Sequence, residues 1–117
     1  FKNGTGKDAL GIRYKDHATN KERIFYPDWI IKYRNTNKIG IFDTKGGFTA
    51  NESEVKDKAE ALAAKIAYLN SASKTNRYIG GIIIKQEGQW LYNDEAEYTT
   101  YQSNKAIWKN FAELLSR

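Results

Sequence analysis

The sequence predicts a mixed α/β domain, a sheet with helices packed on it, and three observations carry that reading. Short runs rich in β-branched and aromatic residues alternate with polar, turn-like stretches. A long segment with apolar residues at helical spacing stands between two of those runs. A second such segment closes the chain. At 117 residues with 40% hydrophobic and 28% charged content, the chain fits one globular domain spanning 1–117.

Taken in order, "ALGIRYKD" (9–16) alternates as a strand, with Leu10, Ile12 and Tyr14 on one face. "HATNKE" (17–22) is a polar turn. "RIFYPDWIIKY" (23–33) reads as a strand disturbed at Pro27, the only proline. "RNTN" (34–37) is a hairpin-type turn, and "KIGIFDTK" (38–45) is the next strand, broken by Gly46 and Gly47. Thr49 with Glu52, or Asn51 with Glu54, resembles a capping box that opens a helix. Its core-facing stripe is Val55, Ala59, Leu62, Ile66 and Leu69, and "NSASKTN" (70–76) ends it. An apolar strand is predicted over 79–86, and "GQWLYN" (88–93) is a short return. A last helix is predicted over about 104–116, turning Ile107, Phe111, Leu114 and Leu115 inward. A strand meander, a helical crossover and a further strand imply a mixed sheet, with 38–45 and 79–86 parallel across the crossover and two long helices as covers.

Composition removes several classes of function. Without cysteine there are no disulfides and no thiolate metal sites, which fits a reducing, cytoplasmic setting. A single histidine, His17, rules out a zinc site built from several imidazoles. No apolar run approaches the roughly 20 residues of a membrane helix. The net charge of +5 suits a polyanionic partner such as nucleic acid. The abrupt start at Phe1 reads as a domain cut from a longer polypeptide.

One stretch, "YPDWIIKYRNTNKIGIFDTKGG" (26–47), puts charge where apolar strands end. Side chains alternate along a strand, so Asp43 and Lys45 share a face with Ile39 and Ile41 while Thr44 points away. Asp28, one strand earlier, is expected at the same end of the sheet. Two neighbouring carboxylates repel unless a cation lies between them, and a hard divalent ion such as Mg²⁺ takes carboxylate and carbonyl oxygens. Lys45 is then free to orient a water or offset phosphate charge.

Pro27-Asp28, fourteen intervening residues, then Asp43-Thr44-Lys45 followed by Gly46-Gly47 resembles the motif of the PD-(D/E)xK, or restriction-endonuclease-like, nuclease superfamily. The wording "FYPDWII…KIGIFDTKGG", with "FKNG" ahead of it, is similar to the C-terminal nuclease part of type III restriction-enzyme subunits and related helicase–nuclease proteins. The similarity covers roughly residues 1–70. It implies a Mg²⁺-dependent DNA endonuclease, with Mn²⁺ as a substitute, joined to a helicase or ATPase domain of the same parent chain. It also implies Asp28, Asp43 and the Thr44 backbone carbonyl as metal ligands, with Lys45 positioning the attacking water. Many members carry a further acid, often a glutamate, on a helix before the first strand; here Asp8 is the only acid before residue 16. A nuclease-fold DNA-binding module without efficient cleavage is the alternative, and a purely structural docking domain a third.

Other signals weigh less. "GTGKDAL" (4–10) lacks the first glycine and the hydroxyl of a phosphate loop and reads as a flexible turn. His17 is a turn histidine beside Asp16. Trp90, Tyr92, Tyr98 and Tyr101 can pack under the last helix or stack on unpaired bases. Lys56 and Lys58, near the start of the first helix, are candidate contacts to a nucleic-acid backbone, ahead of Lys65.

Overall fold

The computed structural model describes residues 3–4, 9–33, 37–45 and 53–115. Asp8, residues 34–36 of the expected turn, Gly46, Gly47 and the expected capping residues Thr49, Asn51 and Glu52 lie outside the described residues.

The domain is mixed α/β. Strands β1 (Ile12–Asp16) and β2 (Lys21–Phe25) form an antiparallel hairpin that stands as its own two-stranded sheet. Strands β3 (Trp29–Lys32), β4 (Ile39–Thr44), β5 (Tyr78–Gln86), β6 (Gln89–Asn93) and β7 (Lys109–Asn110) follow one another across a second sheet. Only β4 and β5 are parallel there; the other neighbours are antiparallel. Helix α1 (Ser53–Ser73) makes the crossover between them, as a parallel pair requires. Lys74 ends it in the left-handed conformation (φ 52°). The Asn70 side chain then bonds both the amide and the carbonyl of Tyr78, at 2.8 and 3.0 Å, joining the end of α1 to the start of β5.

Two of the predicted elements are corrected. The run 23–33 is not one strand. Proline has no amide to give a ladder, and at Pro27 the chain leaves the β1–β2 hairpin and enters the large sheet. The meander therefore reduces to the antiparallel pair β3–β4. The long helix over 104–116 is likewise replaced by a 3₁₀ turn (Lys105–Ile107), strand β7 and the short helix α2 (Phe111–Leu115). Pairing of Lys109 and Asn110 with Tyr92 and Leu91 outcompetes the local helical pattern. The Asn110 side chain accepts the Glu113 amide at 3.0 Å and so starts α2 after the strand. The apolar residues counted as one stripe serve opposite faces of the sheet: Ile107 packs beside α1, while Phe111 and Leu114 pack on the other side. One straight helix cannot reach both.

The core lies in two layers. Between α1 and the sheets, Val55, Ala59 and Leu62 meet Ile41, Ile82, Ile84 and the hairpin residues Ile12, Tyr14 and Phe25. Beneath the large sheet, Phe42, Tyr92 and Phe111 form a cluster of edge-on rings, 5.1 Å apart for Phe42 and Phe111. Strand alternation sorts β4 between the layers, Ile41 to one and Phe42 to the other. The β4–β5 contact needs Gly80, because a Cβ there would lie 1.8 Å from the Ile41 carbonyl oxygen.

Candidate active site

The last residues of β4 and the bend before β3 meet at one end of the large sheet. The Lys45 amide donates to the Ile83 carbonyl at 2.9 Å, so the β4–β5 ladder runs one residue past the strand. That keeps Asp43 and Lys45 on one side, and the Lys45 Nζ lies 2.9 Å from Asp43 Oδ2. The Asp28 amide donates to Asp43 Oδ1 at 3.2 Å. In turn Asp28 Oδ2 accepts the Thr44 amide at 3.0 Å and the Thr44 hydroxyl at 2.5 Å. Asp28, Asp43, Thr44 and Lys45 therefore form one connected cluster, which brings together the residues singled out from the sequence. Among the described residues no group of three or more histidine, aspartate or glutamate side chains converges.

The two carboxyls differ in environment. Asp43 is 3% exposed. Burial pushes its carboxyl above the ordinary range, and the neighbouring Asp28 adds to this against the opposing pull of Lys45. Burial acts on Asp28 in the same direction, but the Thr44 hydroxyl and amide, Asp43 and Lys45 outweigh it and hold that carboxyl below its usual value. Environment thus splits a chemically identical pair into an ionised Asp28 and an Asp43 that takes a proton more readily, a division typical of reactive sites.

The donor set also bears on the implied metal. Asp43 Oδ2 is a buried acceptor with no well-directed hydrogen bond, its contact to Lys45 being one of charge. An anionic oxygen in that state, beside a second carboxylate, suits a hard cation that takes oxygen ligands. The residues present fit such an ion.

Thr44 contributes more than its sequence position showed. Expected only for its carbonyl, it grips Asp28 through its amide and hydroxyl. The available signal was that the one side chain of the triplet turned away from Asp43 is a hydroxyl. Lys56 and Lys58 are engaged elsewhere. Lys56 pairs with Glu60 at 2.8 Å, and Lys58 pairs with Glu54 at 3.2 Å over the rings of Tyr14 and Phe25. Lys65 lies over Tyr68. His17 is exposed, yet its Nδ1 is 2.6 Å from Asp57 Oδ1, tying the hairpin to α1. Tyr98 stacks edge-on with Trp108, whereas Trp90 stays 45% exposed.

Comparison of the chain with protein-family models, with curated proteins and with solved structures returns no match.

Proposed function

We propose that this domain is a Mg²⁺-dependent DNA endonuclease module of the restriction-endonuclease-like kind, hydrolysing phosphodiester bonds. The observation that carries the reading is the contact of Asp28, Asp43 and Lys45 at the end of β4, two acids of split character with a lysine on the buried one. Asp28 and Asp43 would hold the ion, with the Thr44 carbonyl as the third protein oxygen, and Mn²⁺ would substitute. Bound there, the ion supplies Lewis-acid polarisation of a phosphoryl oxygen and a more acidic water.

The chain's own residues do the rest. Thr44 fixes the Asp28 carboxylate in its ionised form and in one orientation. Lys45, 21% exposed at its side chain, reaches solvent from the rim of the cluster. Its ammonium orients the attacking water or offsets charge on the phosphate, an electrostatic role that needs no proton transfer. The net charge of +5 draws DNA to the domain. A helicase or ATPase domain of the same parent chain and a cytoplasmic setting complete the proposal. No described helix is long and apolar enough to cross a membrane.

A second reading, a nuclease-fold DNA-binding module that cuts poorly, is favoured by one observation: the described cluster has two acids and no third. Calorimetric titration with Mg²⁺ and Mn²⁺, alongside plasmid nicking, separates the two. The nuclease reading expects metal binding and nicking by the wild type, both lost in Asp43→Ala. Metal binding without nicking supports the second reading. Nicking that survives Asp43→Ala refutes the first.

A further inference from the structure

On the face of the large sheet opposite α1, β3, β5, β6 and α2 enclose an apolar groove of about 400 Å³, lined by Trp29, Ile31, Thr44, Ile83, Trp90 and Phe111. That size falls within the range of about 300–1,000 Å³ typical of ligand sites. Its two tryptophans are 39% and 45% exposed, unusual for the largest apolar side chain. We infer that this groove is a subsite for unpaired nucleobases, in which Trp29 and Trp90 provide stacking faces next to the acid cluster.

Three features select a base over another apolar occupant. Thr44 belongs to both places: it lines the groove and its hydroxyl grips Asp28. The groove therefore adjoins Asp28 at the end of β4 where the cluster lies. Lys85 lies 5.6 Å from the centre of the Trp90 ring and forms no ion pair among the described residues, so a cation stands beside the groove and complements a polyanionic strand. The lining is otherwise apolar and aromatic, with no array of donors and acceptors to read base edges, which fits sequence-tolerant stacking.

The polymer's identity rests on the nuclease reading; the subsite itself is tested by binding alone. The full chain is titrated in EDTA with a short oligothymidylate and with a duplex of the same length, following tryptophan fluorescence. Trp108 is buried, so a ligand-dependent change reports Trp29 and Trp90. Single strand should quench the emission. Trp90→Leu and Trp29→Leu should each weaken its affinity by on the order of tenfold, whereas Trp90→Phe, which keeps an aromatic face, should retain most of it. Lys85→Ala should lower the steepness of the log affinity against log salt by about 0.7. Asp43→Ala should still be quenched while losing cleavage, so loss of catalysis leaves the subsite standing. If the wild type binds oligothymidylate without quenching, or the leucine variants bind as well as the wild type, the inference fails. It also fails if the protein sediments as a dimer that Trp90→Leu dissociates, since the groove would then be a self-interface. The tryptophan and Lys85 variants alter exposed side chains, and wild-type quenching decides the matter even if one of them folds poorly.

Discussion

Replacing Thr44 by valine removes one hydroxyl and almost nothing else. Valine keeps the branched shape on β4 and suits a strand, while Asp28 Oδ2 keeps the Thr44 amide at 3.0 Å and loses the hydroxyl at 2.5 Å. A hydrogen bond to a charged group contributes about 1.5–3 kcal/mol, and partial exposure of Asp28 reduces this to about 1–2 kcal/mol. Unfolding entropy of about 2.1 cal/mol/K per residue, over 117 residues, turns that into a Tm lower by about 4–8 °C. The sign with pH follows from Asp28. Its folded carboxyl lies below the ordinary value, so its stabilisation is present above that value and is lost as pH falls through the folded one. Thermal melts of wild type, Thr44→Val and Thr44→Ser at neutral pH and at about pH 2, below the carboxylate range, test this. Valine should be destabilising at neutral pH, serine much less so, and the valine deficit should shrink in acid. An equal deficit at both pH values would mean that the valine disturbs packing in the groove. No deficit at all would mean that the hydroxyl does not hold Asp28. Either result refutes the reasoning.

Lys45→Ala should leave Mg²⁺ affinity within a few-fold in calorimetry but slow cleavage by on the order of 10²-fold, the scale of one preorganised donor; normal cleavage would reduce the lysine to a surface charge. Leu62, fully buried between α1 and β4, should cost about 2–5 kcal/mol on replacement by alanine, read from denaturant midpoints. Gly80→Ala should prevent β4 and β5 from pairing and abolish cooperative melting, because the added carbon meets the Ile41 carbonyl. Burial pushes the Tyr98 phenol up to about 12. The stability contributed by its neutral form should therefore be intact below about pH 10 and lost as pH rises towards 12, visible as loss of near-ultraviolet circular dichroism.

Local chemistry carried most of the reading from sequence. Alternation along 38–45 sets Asp43 beside Ile41, and the apolar stripe of α1 is plain from Val55 to Leu69, because both patterns arise within one element. The arrangement at 104–116 was not legible in that way. Ile107 and Phe111 are four apart, as on one helix, but the β6 edge claims Lys109 and Asn110 between them, and nothing within the segment announces a pairing with Tyr92 and Leu91. Pro27 was visible as a disturbance; that it separates two sheets depends on where the hairpin packs against α1. At the site, spacing pointed to Asp28, Asp43 and Lys45 together. The grip of Thr44 on Asp28 depends on how far the bend before β3 brings that carboxylate around the strand end, which spacing does not contain.

The parallel pairing of β4 with β5 joins residues distant in the chain, Ile39 with Tyr78 for example. Contacts of that separation carry a large loop-closure cost and form slowly. Asp43 and Lys45 sit at the far end of this pairing and are oriented by it, through the Lys45 amide on Ile83. A chain that emerges from synthesis in order can bring Asp28 to Asp43 and Thr44 once β3 meets β4, but Lys45 gains its backbone anchor on Ile83 only when β5 docks.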